Sequence, residues 1–101
     1  MATDPILEFV RMASAKEKEI VAVRLFGSRA RGDHHAKSDY DLAVDAPRWS
    51  RAEWSRWSEN LREGVPTLAG LDLVWVNNDT SSDLLQAIER DGVFLFQRGK
   101  S

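Results

Sequence analysis

The chain predicts an α/β fold: a small mixed β-sheet of about four strands, with helices packed mainly on one face. Short β-branched apolar runs alternate with longer segments whose apolar residues recur at helical spacing. Gly, Pro, Asp and Ser stand at the junctions, where turns and helix caps need them. A length of 101 residues, 43% hydrophobic and 30% charged, supports one core and not two, so residues 1–101 read as a single domain.

Asp4-Pro5 is an N-cap followed by proline in the first turn. Ile6, Leu7, Val10 and Ala13 then share a helix face, and the polar run Lys16-Glu17-Lys18-Glu19 ends the helix near Glu19. Ile20 to Phe26 is short, β-branched and apolar, which predicts a central strand broken by Gly27-Ser28, where a short helix follows. After a polar loop, Tyr40 to Asp45 is the second strand. Pro47 and Ser50 introduce a helix in which Trp54, Trp57 and Leu61 share a face, closed by Gly64 and Pro66. Leu71 to Val76 is the third strand. Asn77 to Asp83 supplies turn and cap residues for a last helix bearing Leu84, Leu85 and Ile88 and ended by Gly92. Val93 to Gln97 is the fourth strand, and the order is α-β-α-β-α-β-α-β.

Composition narrows the functions open to such a domain. Fourteen basic and sixteen acidic residues give a formal net charge of −2, which argues against direct nucleic-acid binding through a dominant basic face. Zero cysteines exclude disulfides and thiolate metal sites, leaving oxygen or imidazole ligands. Neither a membrane span nor the basic start and apolar stretch of a signal peptide is present, so the cytoplasm is the expected location.

Asp39 and Asp41 carry the chemistry. Side chains two apart on a strand lie on one face. Two carboxylates roughly 4 Å apart repel by about 1 kcal/mol in water and about 4 kcal/mol at an effective dielectric near 20. Either one of them is protonated or a cation lies between them, and hard divalent ions such as Mg²⁺ prefer all-oxygen ligands completed by water and phosphate. Asp72 interrupts the third strand between Leu71 and Leu73, where an isolated buried charge would be costly. Three acids on two apolar strands point to a metal cluster; Asp45, where its strand ends, is a weaker candidate. Two metals would suit phosphoryl or nucleotidyl transfer, and a third carboxylate could take a proton from the attacking hydroxyl.

The turn upstream is a small phosphate cradle. Gly27 removes bulk so that backbone can approach a ligand, and Ser28 adds a hydroxyl at the start of a helix whose free N–H groups suit an anion. Gly-Ser alone is a common turn; its meaning here comes from ending the strand next to the acids. Arg29, Arg31 and Lys37 could neutralise a triphosphate. His34-His35, in a loop of Gly and Asp, reads as exposed, and Trp49, Trp54 and Trp57 read first as packing.

Gly27-Ser28, ten residues, Asp39-x-Asp41 and a later Asp72 in Leu71-Asp72-Leu73-Val74 together resemble the nucleotidyltransferase superfamily of DNA polymerase beta. More narrowly, the chain is similar to the minimal nucleotidyltransferase (MNT) proteins, down to the closing Leu84 to Phe96. The resemblance implies the nucleotidyltransferase fold, with two Mg²⁺ held by Asp39 and Asp41. Asp72 would be the third ligand and the base, and Gly27 and Ser28 would hold the β- and γ-phosphates of ATP. It further implies a HEPN-domain RNase toxin as partner, which the protein neutralises as an antitoxin by transferring AMP to a tyrosine of the toxin. Larger relatives carry an extra domain for a small-molecule acceptor, and this chain has no room for one. Two other readings stay open: an antitoxin that inhibits by binding alone, and a nucleotidyltransferase subunit acting on a small molecule presented by a partner chain.

Overall fold

The computed structural model describes residues 4–99, in the order α1 (Pro5–Ala15), β1 (Ala22–Phe26), α2 (Ser28–Arg31), β2 (Tyr40–Asp45), α3 (Arg51–Gly64), β3 (Leu71–Trp75), α4 (Ser82–Asp91) and β4 (Val93–Gln97). The strands form one sheet in the order β3-β2-β1-β4. β1 is antiparallel to both β2 and β4, whereas β2 and β3 run parallel, so the sheet is mixed as expected. A parallel pair needs a crossover, and α3 provides it.

The caps are those the sequence announces. Asp4 accepts hydrogen bonds from the Ile6 and Leu7 N–H groups, at 2.8 and 3.4 Å. Ser50 and Glu53 form a reciprocal capping box on α3, and Ser81 caps α4 through the Leu84 N–H. Asp4 also accepts from the Tyr40 hydroxyl at 2.9 Å, which ties the start of α1 to the start of β2.

Alternation along the strands sends side chains to two unequal faces. Val23, Leu25, Leu42, Val44 and Leu73 pack with Ile6 and Val10 of α1 and with Trp49 and Leu61 at α3, forming the main core. Phe26 and Ala43 point the other way, against Ile88 of α4, with Val74, Val76 and Leu84 around them. The tryptophans belong to the main core: Trp49 and Trp57 lie 5.6 Å apart, and Trp54 stacks on Trp75 at 6.1 Å. Three boundaries differ from expectation, one of them the end of β3 at Trp75 where Val76 was expected. α1 stops at Ala15, short of Glu19, and β1 starts at Ala22, because Ile20 bonds back to the Glu17 carbonyl in the connecting turn. No described helix is long and apolar enough to cross a membrane.

Candidate active site

The sheet pairing collects the end of β1 and the starts of β2 and β3 at one edge. Phe26, the last residue of β1, is opposite Asp41 of β2, and Asp41 is in turn opposite Asp72 of β3. Neighbouring strands lie about 4.8 Å apart, so the two carboxylates project side by side. They point to the face that α4 covers, because Tyr40, Leu42 and Leu73 turn into the main core. Asp39 stands one step before β2, and its Oδ1 fills the space beside Gly70 that a Cβ would need, 2.7 Å from where that atom would lie. Asp45 is four residues farther along β2, at the other end of the strand, and takes no part.

This geometry places strain on Asp41. Burial acts first, followed by the charge of Asp72, a hydrogen bond with it and the charge of Asp39. Together they push the Asp41 carboxyl up from 3.8 to about 6, although the Arg31 guanidinium pulls it down. Asp72 corrects an expectation. It is exposed, because β3 is an edge strand and its outer face is open here, so it is not the buried charge that its apolar neighbours suggest. Asp39 is exposed as well, and Asp41 is half-buried.

Gly27 has a reason the sequence did not disclose. Its backbone, at φ +74° and ψ −156°, occupies a region essentially closed to other residues, and a Cβ would fall on the Asp41 carboxylate. Glycine is needed there because Asp41 already fills the side-chain space. The backbone bonds of α2 begin with the Ala30 and Arg31 N–H groups donating to the Gly27 carbonyl. The N–H groups of Ser28 and Arg29 precede them and are free of the helix.

The basic residues divide. Arg29 is turned into the loop: it donates to the carbonyls of Ser38 (3.0 Å) and Ala36 (3.2 Å), and its guanidinium lies 3.9 Å from the centre of the Tyr40 ring. It thus braces the segment that delivers Asp39. Arg31 remains beside the acids, paired with Asp33 at 3.1 Å and Asp91 at 3.0 Å. His34, His35 and Lys37 are exposed on the loop. Gly70, Asp33 and Asp91 were not singled out in the sequence. Gly70 had a signal in its place just before the strand of Asp72; Asp91, 60 residues from Arg31, had none.

The donor set is all carboxylate oxygen, and burial together with the neighbouring carboxylates makes Asp41 hold its proton tightly; a hard divalent cation would take that proton's place. No three such side chains among the described residues form a ready-made metal cage. Mg²⁺ does not require one, since one or two carboxylates with water and substrate phosphates complete its shell. The residues therefore fit that ion.

The sequence profile described as Polymerase beta, Nucleotidyltransferase matches residues 10–101. No curated protein matches the sequence. Among solved structures, the chain is similar to one from a toxin–antitoxin crystal structure with AMP-PNP, with 22% identity and a TM-score of 0.72 over 92% of this chain and 74% of that one. It is also similar to a chain from the tri-AMPylated Shewanella oneidensis HEPN toxin in complex with MNT antitoxin, with 19% identity and a TM-score of 0.63 over 92% and 70%. A crystal structure from Sulfolobus solfataricus, assigned as a nucleotidyltransferase, matches with 19% identity and a TM-score of 0.62 over 96% and 81%. At these identities the structural likeness speaks for the fold. The profile match takes in the Gly27-Ser28 turn, all three acids and every strand, and on that ground the chain belongs to the polymerase beta nucleotidyltransferase family.

Proposed function

We propose that this chain is a Mg²⁺-dependent nucleotidyltransferase, a single domain over residues 1–101, that moves AMP from ATP to a hydroxyl, a tyrosine in the first instance, of a HEPN RNase toxin. It thereby acts as the toxin's antitoxin in the cytoplasm. The observation that carries the reading is the registered opposition of Asp41 and Asp72, with Asp39 beside them, across from the Gly27-Ser28 turn. The toxin–antitoxin structures that share the fold, one with AMP-PNP and one with an AMPylated HEPN toxin, support the choice of nucleotide and acceptor.

Each residue has a part in that chemistry. The Ser28 hydroxyl and the free N–H groups opening α2 would receive the β- and γ-phosphates, with Arg31 as countercharge at the rim. Asp39, Asp41 and Asp72 would hold two Mg²⁺, which supply charge neutralisation to the acids and triphosphate and make the attacking hydroxyl more acidic. Asp72, exposed on the edge strand, is the carboxylate an acceptor from another polypeptide reaches, and would take the hydroxyl proton. The acceptor oxygen then bonds to the α-phosphorus, the bond to the bridging oxygen breaks, and pyrophosphate leaves. Arg29 keeps Asp39 in place through the loop.

The test is incubation with the partner toxin, Mg²⁺ and ATP labelled at the α-phosphate. Wild type should label the toxin and relieve its RNase activity, and Asp39→Asn with Asp41→Asn should do neither. Absence of label with wild type, together with inhibition that survives both substitutions, would select a binding-only antitoxin instead. Label on a low-mass acceptor alone would select the small-molecule reading.

A further inference from the structure

The turn that opens α2 is braced from the far end of the chain. β4 starts beside the end of β1, with Val93 opposite Leu25, so the last residue of α4 lands next to the Gly27-Ser28 turn. Gly92 keeps that junction short, since a Cβ there would fall on the Ile88 carbonyl oxygen and lie 3.3 Å from Arg24 Cδ. Asp91 is thereby brought inward, its side chain only 6% exposed. Its carboxylate accepts from Arg31 Nη1 at 3.0 Å and from Arg90 Nε and Nη2 at 3.1 Å each. The other edge of Arg31 donates to Asp33 at 3.1 Å through Nε.

A carboxylate in the last turn of a helix faces the negative end of the helix dipole, an unfavourable arrangement. Helix stability does not explain Asp91; the guanidinium it holds does. Arg31 stands in the short helix that Gly27 opens, and the Gly27 backbone lies directly against the Asp41 carboxylate, so the guanidinium is held one turn from the acids. A long side chain fixed along two edges has its remaining N–H groups already aimed, and loses little rotamer freedom when an anion arrives.

We infer that Asp91 is a positioning residue, which through its ion pair with Arg31 holds that guanidinium at the mouth of the acid cluster to meet the polyphosphate of the incoming nucleotide. The inference rests on the nucleotidyl-transfer reading above.

Calorimetry with Mg²⁺ and α,β-methylene-ATP separates the two. Asp91→Asn should weaken binding about tenfold and raise KM for ATP by a similar factor, with kcat changed by less than about threefold. Asp91→Ala carries the same expectation and leaves no buried amide, so it serves if the Asn variant fails to fold. Asp91→Glu, which keeps the charge within reach of Arg31, should return binding to within about threefold of wild type. In an Arg31→Ala background the Asp91 substitutions should add less than about twofold, because two residues acting as a unit are not additive. Wild-type binding that both Asp91 variants retain would overturn the positioning role, as would full additivity with Arg31→Ala. A wild type that binds no Mg²⁺-nucleotide would overturn the proposed function itself, and this inference with it.

Discussion

Substituting Asp41 with Asn should make the metal-free protein more stable at neutral pH and leave it unchanged in acid. The native Asp41 carboxyl holds its proton up to about pH 6, against an ordinary value of 3.8. The native state therefore binds that proton more tightly than the unfolded chain does. The stability this contributes is complete below about pH 4 and is lost as pH rises through 6. A difference of that size corresponds to about 3 kcal/mol for a fully dry group, and water around a half-buried carboxylate screens it to about 1–2 kcal/mol. Asp41→Asn keeps the shape and removes the charge, so its advantage at pH 8 should be about 1–2 kcal/mol. For a domain of this length that is about 5–10 °C in Tm. The assay is urea unfolding in a chelator at pH 4 and pH 8, read by fluorescence of the Trp49, Trp54, Trp57 and Trp75 cluster. Parallel pH profiles for the two proteins, or a variant less stable than wild type at pH 8, would refute the account of a carboxylate held against its own charge.

The same cluster predicts that millimolar Mg²⁺ raises the Tm of wild type at pH 8 and has little effect on Asp41→Asn, a comparison that thermal-shift measurements decide; equal shifts in both would place the cation elsewhere. Gly27→Ala should cost at least about 2 kcal/mol and abolish nucleotide transfer, because its φ of +74° excludes a side chain and the new Cβ would displace the Asp41 carboxylate; denaturant titration and the labelling assay together check it. Asp4→Ala should cost about 1–2 kcal/mol in urea unfolding, through loss of the α1 cap and of the bond from the Tyr40 hydroxyl. A change under about 0.3 kcal/mol would mean that neither bond contributes.

Features set by neighbours in sequence were legible from the residues. Asp4, Ser50 and Ser81 cap the helices they precede, and every expected strand and helix is present in the expected order, with ends shifted by a few residues at α1, β1 and β3. That Asp41 faces away from the main core follows from the two-residue repeat of a strand, and Gly27-Ser28 from the need to end one. Contacts between distant segments were not legible, because strand register is decided by packing across the whole sheet. The parallel pairing of β2 with β3 sets Asp72 opposite Asp41 and leaves it exposed on an edge. The Tyr40 ring and loop carbonyls engage the Arg29 guanidinium, while Arg31 is bound to an aspartate 60 residues away. The amino-acid sequence thus determined which groups are available and their local direction, since caps, turns and alternation depend on a few adjacent residues. Tertiary structure alone decided which charges meet and how much water reaches them, because those depend on the path of the whole chain.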